Sequence, residues 1–127
     1  RVASGGELSR ISLAIQVIMS ESSQIPSLIF DEVDSGVGGG IAEIVGKKLR
    51  LLGADRQVFC VTHLPQVASQ AHHHYRVEKL RDKGNTTTAV VLLDDIERRE
   101  EIARMLGGVT ITEQTRAHAS EMIASQE

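Results

Sequence analysis

The chain reads as an α/β domain: a mostly parallel sheet flanked by helices, followed by a terminal β-hairpin and two C-terminal helices. Three observations predict this. Two short apolar runs, Leu28-Ile29-Phe30 and Val58-Phe59-Cys60-Val61, have the pattern of strands covered on both faces. Between them Ile41, Ile44, Val45, Leu49 and Leu52 recur at helical spacing, so strand, helix and strand imply a parallel pair joined by a right-handed crossover. Beyond the second strand come two runs joined by Asp82-Lys83-Gly84-Asn85, then two helical patterns separated by Gly107-Gly108.

Taken in order, Ser4 and Glu7 form an S-x-x-E capping box that predicts a helix start. Leu8, Ile11, Ile15 and Ile18 give that helix a buried stripe, which ends at Ser20-Glu21-Ser22-Ser23 and Pro26. The strand at 28–30 delivers Asp31-Glu32 to its carboxyl end. Residues 35–40, Ser-Gly-Val-Gly-Gly-Gly, are a turn, and the following helix closes at Gly53. The strand at 58–61 leads directly into Thr62-His63-Leu64-Pro65 and a short helix at 64–70. Strands at 75–80 and 86–93 form the hairpin, a helix runs over 97–106, and Thr110-x-x-Glu113 predicts a cap for the last helix.

A length of 127 residues suits one compact domain. The 41% hydrophobic and 24% charged residues fit an ordinary globular chain. No apolar stretch nears the roughly 20 residues of a membrane helix, and no cleavable signal is visible, so no membrane partner is expected. A net charge of −3 gives no footprint for nucleic acid within this segment, and three aromatic residues make no base-stacking platform. The single Cys60 reads as a small buried thiol, in keeping with a reducing cytosol.

Chemistry concentrates at the strand ends. Open parallel sheets bind ligands beyond the carboxyl ends of their strands, where Asp31, Glu32 and His63 fall. Magnesium favours hard oxygen ligands and retains waters, so Asp31 is the candidate metal ligand, acting through water. Glu32 is the candidate base that orients or deprotonates water attacking a terminal phosphate. His63 is the candidate hydrogen-bond donor to that phosphate, against the alternative of a satisfied core histidine. Ser4, Gly5 and Gly6 open a helix where backbone amides and the helix dipole favour an anion. A serine cap alone explains the start, but not two successive glycines. Because this motif precedes the metal strand, it is expected to serve the nucleotide of a second protomer. The run His72-His73-His74 lacks a carboxylate or cysteine at ligand spacing and is not expected to bind zinc, while residues 97–101, Glu-Arg-Arg-Glu-Glu, read as a solvated helix face.

One part is missing. The phosphate-wrapping loop G-x-x-x-x-G-K-[ST] is absent, since Gly40 to Gly46-Lys47 has the wrong spacing and is followed by Lys48. With Arg1 directly before the first motif, the chain is expected to be the second part of a longer nucleotide-binding domain.

On these residues the chain resembles the C-terminal part of the ATPase head of ABC-type proteins, in particular the SMC-like branch. Ala3-Ser4-Gly5-Gly6-Glu7 looks like the ABC signature, residues 28–34 like the Walker B strand, and Val61-Thr62-His63 like the switch-histidine segment. Asp31-Glu32-Val33-Asp34 favours SMC-like heads over transporters, which usually carry proline and threonine after the glutamate. Residues 35–39, 62–68, 101–108 and 111–113, with Ala117-His118-Ala119, are similar to a bacterial DNA repair branch of that family. Gly38 stands where most members carry the D-loop aspartate, so that role is not transferred.

The resemblance implies a homodimeric ATPase of double-strand break repair and recombination, cytoplasmic and nucleoid-associated. Two ATP molecules and Mg2+ would be sandwiched between heads, with Ser4, Gly5, Gly6 and Glu7 meeting the partner protomer's nucleotide, and DNA would be bound by the full-length protein. Residues 1–127 would be the C-terminal lobe, paired with an N-terminal Walker A lobe of the same protein and inactive alone. The rival readings are a transporter nucleotide-binding subunit and a non-enzymatic interaction domain.

Overall fold

Alternate apolar side chains at 28, 30, 58 and 60 commit two short segments to one buried sheet face. A computed structural model of the chain describes residues 16–126 apart from 17, 20, 23 and 32–35. β1 (Ser27–Asp31) pairs in parallel with β2 (Gln57–Val61), from Ser27 opposite Gln57 to Asp31 opposite Val61. α1 (Gly39–Leu52) makes the crossover, and the single turn α2 (Pro65–Ala68) follows β2. A separate antiparallel pair, β3 (Tyr75–Asp82) and β4 (Asn85–Leu92), precedes α3 (Asp95–Gly107) and α4 (Glu113–Ala124). The α/β class, the parallel crossover, the hairpin and the two final helices match the sequence expectation. Among the described residues, no helix is long and apolar enough to cross a membrane.

The first core lies between the sheet and α1. Leu28, Phe30, Val58 and Cys60 pack on Ala42, Val45, Leu49 and Leu52, with Val37 and Val67 closing the cluster. Ile41 and Ile44, read as part of the same helical stripe, are exposed instead. The inner line runs through Ala42, Val45, Gly46 and Leu49, and at about 100° per residue Ile41 falls to its side and Ile44 on the far face. The expectation that helices cover both sheet faces is also corrected: Ile29 is 75% exposed, Phe59 48% and Val61 52%. Among the described residues only the α1 side is covered. The described residues between 16 and 22 are helical, but Ile18 is 65% exposed rather than buried. The rest of that stripe, Leu8, Ile11 and Ile15, lies outside the described residues.

The hairpin turns through Lys83 and Gly84, both at positive φ (47° and 82°). A two-residue loop with this geometry matches the twist of the strands it joins, and glycine takes it without a Cβ penalty.

α3 starts earlier than residue 97. The Asp94 carboxylate accepts from the Glu97 amide at 2.7 Å, and the Glu97 carboxylate accepts from the Asp94 amide at 3.2 Å, a complete capping box. α4 is capped by Thr112, whose Oγ1 accepts from the Thr115 amide at 3.1 Å. Thr110 was the expected cap, but Ile111 packs against the second core and pulls the helix start beyond it. That core joins Ala68 of α2 to Ile102 and Ala103 of α3 and Ala119 of α4.

Ile102 is fully enclosed at this three-helix junction. Ile102→Ala is expected to destabilise the protein by about 2–5 kcal/mol through lost burial and the cavity left behind. Urea unfolding monitored by circular dichroism measures it, and a change below about 1 kcal/mol would contradict this packing.

Candidate functional site

Parallel neighbours end on the same side of their sheet, and this brings two candidate groups together. Asp31 is the last residue of β1 and lies opposite Val61, the last of β2. His63 follows two residues later, so the carboxylate and the imidazole occupy one rim although 31 separates them from 63 in sequence. Both side chains are exposed. Among the described residues no side chain is paired with the Asp31 carboxylate, and no group of three or more His, Cys, Asp or Glu side chains is placed to hold a metal ion. Glu32, and the Ser4, Gly5, Gly6 and Glu7 group, lie outside the described residues.

The His63 segment is held by its own local chemistry. Thr62 Oγ1 accepts from the Leu64 amide at 3.0 Å, a side-chain turn that fixes the peptide on both sides of His63. The Leu64 carbonyl then accepts from the amides of Val67 (3.1 Å) and Ala68 (3.0 Å), and the Leu64 side chain packs on the first core. Pro65 at the first helical position is preset for the turn. His63 is thus carried at the tip of a short, internally bonded unit.

Sequence reasoning missed what anchors the end of that unit. Arg98 Nη2 donates to the carbonyls of Ser69 (2.9 Å) and Ala71 (2.6 Å), and Arg50 Nη1 donates to the Gln70 carbonyl at 2.7 Å. Three successive carbonyls are therefore stapled by two guanidinium groups from α1 and α3. The reading of residues 97–101 as a solvated face is corrected: Arg98 is half-buried, and Glu101 is only 7% exposed. Glu101 tolerates burial because Arg104 donates to both its oxygens and Arg76 lies 3.9 Å away. The legible signal was spacing, since Arg98 lies four residues before the core residue Ile102 on the same helical face.

Comparison with known proteins then decides the kinship. Over 123 residues the chain is 57% identical to the DNA repair protein RecN of Xylella fastidiosa (strain 9a5c), covering 97% of this chain and 22% of that protein. It is 46% identical over 123 residues to the DNA repair protein RecN of Bacillus subtilis (strain 168), covering 97% of this chain and 21% of that protein. A solved chain from work on ATP-driven dimerization and DNA-stimulated activation of SMC ATPases has the same fold, with a TM-score of 0.70 at 18% identity over 85% of this chain and 65% of that one. Over nearly its whole length the chain is similar to RecN proteins, and it shares the fold of the solved SMC ATPase chain. It spans about a fifth of the length of the RecN proteins it matches. No family model matches it.

In this RecN-like segment the histidine run occupies the loop before β3. His74 is half-buried, and among the described residues its enclosed Nδ1 has no hydrogen-bond partner. Burial, then the nearby Arg98 and Arg76 charges, lower its pKa against the opposing pull of Glu101. The same burial lowers the Arg98 pKa, with Arg50 adding to the effect. A histidine with a depressed folded-state pKa takes up its proton more readily when unfolded, so its contribution holds above the unfolded value of about 6.5 and is lost as pH falls below it. His74→Gln is expected to flatten the loss of stability between about pH 7 and 5.5. Urea midpoints measured across that range check this, and identical slopes for both proteins would contradict it.

Proposed function

We propose that the chain is the C-terminal lobe of a RecN-type DNA repair ATPase, residues 1–127, which completes its site with an N-terminal Walker A lobe and with a second protomer. The observation that carries this reading is the shared rim of Asp31, at the end of β1, and His63, just beyond the parallel β2, in a chain 46–57% identical to RecN proteins. Further support comes from the sheet face bearing Ile29, Phe59 and Val61, which is apolar and open among the described residues. Such a face suits a lobe packing against it. The RecN likeness also sets the transporter reading aside.

In this reading Asp31 would hold Mg2+ through water, and its carboxylate, exposed and without a side-chain partner among the described residues, fits a cation that keeps most of its hydration. Bound Mg2+ neutralises charge on the nucleotide phosphates. Glu32 accepts the proton of the attacking water, and His63 donates a hydrogen bond to a terminal phosphate oxygen. Ser4, Gly5, Gly6 and Glu7 meet the ATP of the opposing head, so nucleotide joins two heads and hydrolysis releases them. The function is ATP-gated engagement of a homodimer on DNA during double-strand break repair and recombination, in the bacterial cytoplasm at the nucleoid.

Glu32→Gln in the full-length protein is expected to keep ATP binding while turnover falls about 10²–10⁴-fold and engaged heads accumulate. Light scattering with ATP, beside a turnover assay, reads both. A variant that binds nucleotide yet stays as dissociated as wild type would remove the gating model. The isolated chain is expected to show no ATP turnover, since it has no phosphate-wrapping loop. Activity of the purified chain that disappears in its own Glu32→Gln version would overturn the two-lobe assignment.

A further inference from the structure

We propose that Gly46 is a positioning residue for His63: by leaving out a side chain where α1 meets α2, it sets where the His63 segment stands beside Asp31. The inference rests on the ATPase reading above. Glycine is among the weakest helix formers, yet Gly46 is buried in the middle of α1. A Cβ at this position would lie 2.7 Å from the Gln66 carbonyl oxygen, 2.8 Å from Gln70 Cγ and 3.2 Å from Val67 Cα. The Gln70 side chain can swing aside. The Gln66 carbonyl and Val67 Cα are backbone and cannot, so any larger residue at 46 must push α2 away from α1.

That displacement has a defined path to His63. The unit from Thr62 to Ser69 is bonded internally, through the Thr62 hydroxyl to the Leu64 amide and through the Leu64 and Pro65 carbonyls to the amides of Val67, Ala68 and Ser69. It moves as one piece, with His63 three residues from Gln66. One turn along α1 from Gly46, Arg50 holds the far end of the unit through the Gln70 carbonyl at 2.7 Å. α1 also carries the chain onward from the segment containing Asp31 and Glu32. Both halves of the rim are therefore referenced to one helix, and Gly46 sets the gap between that helix and the histidine unit.

The test is a double-mutant cycle in the full-length protein, with kcat, KM and ATP affinity measured for Gly46→Ala, His63→Ala and the pair. Gly46→Ala is expected to lower kcat about tenfold to hundredfold, as small misplacements of reacting groups do, with ATP affinity held within about twofold. The pair is expected to be no slower than His63→Ala alone, because Gly46 acts only through that side chain. Wild-type kcat for Gly46→Ala, or a pair whose loss is the product of the two single losses, would overturn the inference. Wild-type kcat for His63→Ala would instead remove the site reading, and the inference with it. If Gly46→Ala does not fold, Arg50→Gln, which frees the other end of the same unit, takes its place in the cycle with the same expected and overturning outcomes.

Discussion

The parallel pairing of β1 with β2 is the constraint on which the rest depends. Antiparallel neighbours would send Asp31 and His63 to opposite ends of the sheet, whereas parallel ones bring both to a single rim. The register is enforced by the core, because Leu28, Phe30, Val58 and Cys60 reach α1 only when Phe30 sits opposite Cys60. A slip of β1 by one residue would turn Ile29 inward, expose Leu28 and Phe30 and move Asp31 relative to Val61. The hydrophobic pattern thus fixes the chemical rim as well as the fold.

A second layer of control lies behind the rim. Strand ends are where a sheet gives way to loop, and loops hold geometry only if their backbone groups are bonded. In the histidine unit nearly all of that bonding is local, and its downstream end is fixed by Arg50 and Arg98 on three consecutive carbonyls. Burying guanidinium groups is costly unless their donors are used, and each donor spent here also ties α1 or α3 to the loop. The α3–α4 pair, which carries no candidate catalytic group, therefore still contributes to where His63 stands.

Much of this was legible in the sequence, and the parts that were not share a cause. The crossover, the hairpin and the rim residues follow from short-range patterns: apolar runs, helical spacing and the turn at 82–85. Long-range pairing is not written in such patterns. Arg98 and Glu101 looked solvated because charged residues usually are; the return of residues 69–71 makes the burial of Arg98 tolerable, and Arg104 on the same helix together with Arg76 does so for Glu101. Thr110 and Thr112 are equally good caps by composition. The packing of Ile111 chose between them. Gly46, in sequence only part of a wrongly spaced phosphate-loop pattern, takes its meaning from α2, which comes within 3 Å of where its Cβ would be.

The exposed surfaces divide by chemistry in a way that bears on how such a head works. Polar candidate groups sit at the strand tips, while open apolar side chains sit on strand faces: Ile29, Phe59 and Val61 on the first sheet, and Tyr75, Val77, Val90 and Leu92 on the hairpin. Among the described residues the parallel sheet has two strands and one open apolar face, which gives it little stability of its own, so contacts there favour lasting association. Contacts at the tips are polar and hydrated, and are exchanged at small net free-energy cost. In the nucleotide-gated dimer proposed above these requirements would differ, because the lobes of one head would have to stay together while the two heads part after each hydrolysis. Assigning faces to the permanent contact and tips to the reversible one meets both demands with a single pair of strands.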